Sequence, residues 1–136
     1  YVDAELRPGW PGLNIEAMIR TVARRERRGV EVEVGVRCQG FCPLVYDGPR
    51  DLDALWADGR FRHFAMANNI GRGGKVLRCR PMFFPWELSF DLTVDPAWTN
   101  SDDVKRWLTT AGQRDGLGDW RHHYGLFRVE EFDVRE

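Results

Sequence analysis

Two stretches of this sequence confine their apolar side chains to one side of a helix, and that constrains the fold more than anything else in it. Ile15, Met18, Ile19, Val22 and Ala23 fall at i, i+3, i+4, i+7 and i+8, and Val104, Trp107, Leu108 and Ala111 repeat the pattern. A helix with one apolar stripe has one surface to bury. Both helices are therefore expected on a single face of a sheet, with the other face left available. Asn14 is placed to cap the first helix, and Arg24, Arg25, Arg27 and Arg28 before Gly29 suit its negative end and its exit. Ser101 is placed to cap the second, with Asp102 and Asp103 in its first turn and Gly112 at its end.

The intervening segments alternate at the period of a strand. Val30, Val32, Val34 and Val36 alternate with Glu31, Glu33, Gly35 and Arg37. Trp86, Leu88, Phe90, Leu92 and Val94 do so with Glu87, Ser89, Asp91 and Thr93. Each run predicts a strand with one buried face. Two more strands are expected at Lys75–Arg80 and near Leu126–Val134. Residues 38–74 hold no sustained period and read as an insertion. It contains a turn at Tyr46–Pro49, a short helix over Asp51–Trp56 and a glycine loop, Gly71-Arg72-Gly73-Gly74. Residues 1–12 read as an extended lead-in with a turn, and a strand is expected to precede Tyr1. With it the order is β-α-β-β-α-β, an α+β ferredoxin-like domain over residues 1–136. An α+β fold of another topology is the alternative.

Length allows one domain and not two independent cores. Twenty basic against twenty-one acidic residues give a net charge of −1, which excludes a generally basic nucleic-acid coat but not a local basic surface. No apolar run approaches the roughly 18 residues of a membrane span, so no membrane association is expected. Cys38, Cys42 and Cys79 are few and odd in number, which favours a reducing cytoplasm. A zinc set of these three with His63 lacks the paired CxxC knuckle, so ordinary thiols, no metal and no cofactor are expected. G-x-S-x-G, Walker and H-E-x-x-H motifs are absent.

Charge is segregated along the chain. Residues 20–28 hold five arginines and one glutamate; residues 71–80 hold Arg72, Lys75, Arg78 and Arg80 without an acid; residues 86–103 hold five acids and no base. A positive side on a neutral protein is what phosphate binding requires. The same residues also suit a solvated helix end and a guarded edge strand. In the loop 112–125, glycines let backbone amides approach phosphate, Arg114 and Arg121 add charge, and Trp120 and Tyr124 offer stacking faces. The loop also suits a plain helix-to-strand connection. His122 and His123 beside Arg121 have the residue types for metal-independent RNA cleavage, or for phosphate hydrogen bonding alone.

Tyr1-Val2-Asp3, followed by Pro11-Gly12-Leu13-Asn14-Ile15-Glu16-Ala17-Met18-Ile19-Arg20, resembles the extended stretch and "IPG-S-L-KGALR" helix start of the RAMP superfamily of CRISPR backbone subunits. Gly116-Leu117-Gly118-Asp119-Trp120-Arg121, with Tyr124-Gly125-Leu126-Phe127-Arg128-Val129, resembles the glycine-rich loop and last strand of the same superfamily. Over most of residues 1–130 the chain is similar to phage and prophage proteins of this size. Those carry a "YDGPRDPDELW" insertion (here Tyr46 to Trp56), an "R-P-x-F-x-x-W" strand pair (Arg80 to Trp86) and a "GxGDWRPxFGRF" ending (Gly116 to Phe127). His122 and His123 stand where that pattern has proline and a variable residue.

The resemblance implies a RAMP-like, ferredoxin-type fold, nucleic-acid binding and self-assembly along a strand. The expected protein is phage-encoded, non-catalytic and cytoplasmic in an infected or lysogenic bacterial host. It contacts single-stranded RNA or DNA as a homo-oligomer. Arg24, Arg25, Arg27, Arg28, Arg72, Lys75, Arg114 and Arg121 supply charge, and Trp120 and Tyr124 supply stacking. The alternatives are an RNA endonuclease using His122 or His123, and a protein docking on a phage, host or CRISPR complex through the acidic stretch 86–103 and the Phe83–Trp86 turn.

Overall fold

A computed structural model describes residues 1–136. The chain is a mixed α+β protein with four α-helices and small sheets of two or three strands, paired antiparallel. No helix is long and apolar enough to cross a membrane. The contacts divide it into two units: Tyr1, Trp10–Cys42 and Phe90–Glu136 form one, Val2–Gly9 and Pro43–Ser89 the other.

The first unit is built on the two striped helices, α1 (Gly12–Arg25) and α4 (Ser101–Thr110). Ile15, Met18, Ile19, Val22 and Ala23 are buried, as are Val104, Trp107, Leu108 and Ala111. Full burial of each large apolar side chain contributes roughly 1.5–3 kcal/mol. The caps fall elsewhere than expected. Pro11, extended, precedes α1 without a side-chain cap, and the Gly12 N–H instead donates to the Gly40 carbonyl at 2.8 Å. A Cβ on Gly12 would overlap the Cys38 carbonyl oxygen. Asn100, one residue before the expected Ser101, caps α4 by accepting from the Asp103 N–H at 2.9 Å.

The valine run after Gly29 folds as a helix, α2 (Gly29–Gly35), and only Val36–Arg37 form a strand, β2. The alternation concealed a second period. Gly29, Val32 and Val36 fall at i, i+3 and i+7 and are buried, whereas Val30 and Val34 are exposed. A Cβ at Gly29 or Gly35 would press on Arg24 or Trp98, so bare glycine permits the close packing. Burial overrides the weak helix propensity of valine.

In the second unit, residues 44–46 of β3 (Phe41–Tyr46) pair antiparallel with β6 (Trp86–Leu88), and β1 (Gly9–Pro11), the other neighbour of β3 in the order β1-β3-β6, belongs to that unit only at Gly9. Leu44, Tyr46, Leu55 and Phe61 form its core, with Leu52, Phe83, Trp86 and Leu88 against it. The Tyr46 and Phe83 rings lie 4.7 Å apart between centroids. The short helix α3 (Leu52–Ala57) is capped by Asp51, which accepts from the Ala54 N–H at 3.0 Å. A long hairpin, β4 (Arg62–Asn68) and β5 (Lys75–Pro81), pairs over seven positions from Arg62↔Pro81 to Asn68↔Lys75.

The alternation at 86–94 does not make one strand. Trp86–Leu88 pair with β3, whereas Thr93–Val94 form β7 and pair with β2. The run crosses from one unit to the other between Ser89 and Phe90. Residues 126–134 make no strand, although the Phe127 N–H donates to the Gly112 carbonyl at 3.0 Å.

Candidate nucleic-acid interface

The arginine cluster at the end of α1 is largely committed to carboxylates. Arg25 forms a two-pronged ion pair with Asp115, with Nη1 donating to Oδ2 at 2.9 Å and Nη2 bonded to Oδ1. Arg28 donates from Nε to Glu31 at 2.9 Å and from Nη2 to Asp103 at 2.7 Å, and its guanidinium lies 4.9 Å from the Trp107 ring centroid. These carboxylates hold both guanidiniums firmly charged. They also cancel the charge that a polyanion would meet. Arg24 and Arg27 are exposed and keep theirs. Two of the four expected cations therefore remain available at this helix end.

The loop after α4 starts from a π-turn, Ala111–Asp115. Its arms are drawn together by the Leu117 N–H, which donates to the Gly125 carbonyl at 2.9 Å, and by the Tyr124 N–H, which donates to Trp120 at 2.9 Å. Gly116 and Gly125 have φ of +77° and +85°, and a Cβ on Gly125 would overlap the Leu117 carbonyl. These two glycines thus serve the turn itself. Arg114, Arg121, His122 and His123 are exposed, and no ion pair engages Arg114 or Arg121. Tyr124 is exposed, and its ring stands edge-to-face with Trp120 at 6.0 Å.

His122 Nδ1 lies 2.9 Å from the Arg114 carbonyl oxygen. A carbonyl only accepts, so Nδ1 is the donor of this contact. Thr21, Arg25, Asp115, Asp119, Arg121 and His122 line a crevice of about 350 Å³.

Arg72 and Lys75 belong to the other unit, at the tip of the β4–β5 hairpin. The Gly71-Arg72-Gly73-Gly74 turn takes φ of +93°, +68° and +77° at its three glycines, with open space around each. Between Arg62 and Pro81 the hairpin carries five cations (Arg62, Arg72, Lys75, Arg78, Arg80) and no acid. Phe64, Met66 and Leu77 are each more than half exposed. Phe64 stands opposite Cys79 and Met66 opposite Leu77, so the three share one face of the ribbon. The sequence analysis did not single out Arg62, Phe64 or Met66. Two β-compatible runs around a glycine-rich turn were the available signal.

Cys38 and Cys42 are buried with sulfurs 3.9 Å apart, and no cluster of three or more ligating side chains forms. No protein-family model, curated protein or solved structure matches the chain.

Proposed function

We propose that this chain binds single-stranded RNA or DNA without cleaving it. One observation carries the reading: an acid-free β-ribbon holds Arg72, Lys75 and Arg78 exposed and shows Phe64, Met66 and Leu77 on one face. Cations track a phosphate backbone, and an exposed aromatic ring among apolar neighbours accepts stacked bases of any sequence. Arg114, Arg121 and the Tyr124 ring, all exposed on the loop 112–125, repeat the combination in the other unit. Arg24 and Arg27 add charge, whereas Arg25 and Arg28 serve to hold the fold. The proposal includes a RAMP-type ferredoxin-like relationship, assembly of copies along a strand, and a phage protein at work in the bacterial cytoplasm.

The test is fluorescence anisotropy with a labelled single-stranded oligonucleotide, as RNA and as DNA, over a range of salt. Replacing Arg72, Lys75 and Arg78 together by alanine is expected to weaken binding for every sequence. The log–log salt slope should fall by about 0.7 per lost phosphate contact. An unchanged affinity and slope would overturn the reading.

A further inference from the structure

The crevice between α1 and the loop has a composition that the binding of a continuous strand does not explain. Thr21 and Arg25 come from successive turns of α1, Asp115 closes the π-turn, and Asp119, Arg121 and His122 come from the loop. A site for phosphate alone would be lined by cations. This one mixes two arginines and a histidine with two carboxylates and a hydroxyl. Asp115 spends both oxygens on Arg25, which fixes the guanidinium plane without adding net charge. Arg121 is the cation with no ion pair, and its neighbour His122 has its ring oriented by the Arg114 carbonyl.

A ligand that satisfies this lining must carry a compact anion for the Arg121–His122 side and hydrogen-bond donors for the carboxylate side. An ionised carboxylate offers about four lone-pair sites, so Asp119 can accept from such donors beside the interaction it already makes. Thr21 donates its hydroxyl to the Ala17 carbonyl at 2.8 Å, which leaves its oxygen able to accept as well. A nucleotide has both halves: a phosphate, and sugar hydroxyls with base amino groups. The volume of about 350 Å³ is at the small end of ligand sites and suits one nucleotide rather than a run of them.

We propose that this crevice binds a terminal nucleotide bearing a phosphomonoester, with Arg121 and His122 on the phosphate and Asp119 on the sugar or base. The inference rests on the nucleic-acid reading for its biological source, the end of a bound strand. A free nucleotide offers the same chemistry, and the two sources are separated below.

The experiment is calorimetric titration of the full chain with adenosine 5′-monophosphate, adenosine and inorganic phosphate. The monophosphate is expected to bind at least about tenfold more tightly than either half. R121A and H122A each should lose about tenfold, with unchanged circular dichroism because both side chains are exposed. D119N should lessen the preference for the monophosphate over phosphate. Phosphate binding as well as the monophosphate, or monophosphate binding that ignores both R121A and H122A, would overturn the site. Absence of binding at about 5 mM monophosphate, well above the millimolar range of the weakest specific sites, would do the same. Oligonucleotides with a 5′-phosphate, a 3′-phosphate or hydroxyl ends then identify the source. A terminal phosphate that strengthens binding supports the strand end, and ends that make no difference limit the crevice to free nucleotides. Failure of the unmutated chain to bind the monophosphate while it binds oligonucleotide would sink the crevice alone. Failure of the hairpin variant to weaken oligonucleotide binding would sink the parent reading.

Discussion

Arg25 and Asp115 are 90 positions apart and meet as a two-pronged ion pair that ties the end of α1 to the π-turn after α4. The pair is lopsided: the Asp115 side chain is 5% exposed and that of Arg25 is 50% exposed. Removing the arginine leaves a buried carboxylate without a countercharge, whereas removing the carboxylate leaves an arginine that water can solvate. A fully buried pair broken in this way costs about 3–5 kcal/mol, and the half-exposed guanidinium reduces that to about 2 kcal/mol for R25M. D115N is expected to cost less. Urea unfolding midpoints of the two variants decide the matter, and a larger loss for D115N would contradict the asymmetry.

A second network gives the protein an acid limit. Asp103 accepts from Arg28 at 2.7 Å, from Arg106 at 2.8 Å and from the Asn100 side-chain amide at 2.9 Å. The Arg28 hydrogen bond, then that of Arg106, holds its carboxyl well below the usual carboxylate range. Glu26 is lowered in the same direction, first by Arg106 and then by the Trp107 indole N–H, which donates to it at 3.0 Å. Carboxylates with depressed folded values stabilise fully above their unfolded pKa near about 4, and that stability disappears as pH falls through the folded value. The thermal midpoint should therefore hold from neutrality to about pH 5 and fall below about pH 4. D103N, lower in stability at pH 7, should show a shallower acid slope. Parallel acid limbs for the two proteins would show that this network does not set the limit.

Legibility in the sequence followed the range of the interactions. The stripes of α1 and α4 were readable because a helix repeats within its own length, and Trp107 and Ile19 are buried where the period places them. Asp51 as the start of α3 and the glycine turn of the hairpin are local signals too. The valine run misled because Val32 and Val36 satisfy both a period of two and a helical face, and only packing against the neighbouring elements selects between them. At 86–94 the alternation was real, but its halves found different partners. The site was affected in the same way. Arg25 looks like a free cation in sequence because the acid that neutralises it, Asp115, lies far along the chain, and Arg28 pairs with the equally distant Asp103 as well as with Glu31.

The buried thiols give a chemical readout of the core. Burial, followed by the neighbouring Cys42, pushes the Cys38 thiol up to about 12, and burial raises Cys42 as well. The thiolate is the reactive species, so both should be inert in the folded protein. Cys79, half-buried on β5, should be the one thiol that reacts quickly with a disulfide reagent under native conditions, with all three reacting in urea. Rapid native modification of Cys38 would mean that the packing around Cys38 and Cys42 opens readily.

The hairpin offers the means to separate stacking from charge. Phe64 is 53% exposed and faces Cys79 across the ladder, so its loss removes little core. F64A should leave the thermal midpoint nearly unchanged while weakening oligonucleotide binding by about 1–3 kcal/mol, the range for one lost base stack. A stacked ring neutralises no phosphate, so the salt slope of F64A should match that of the parent protein. R78A should behave in the opposite sense, with a slope lower by about 0.7 and a loss that vanishes at high salt. F64W, which keeps a π-face, should restore affinity. If F64A instead flattened the slope, or F64W failed to rescue, the ring would be acting through the shape of the ribbon, and base stacking on that face would have to be abandoned.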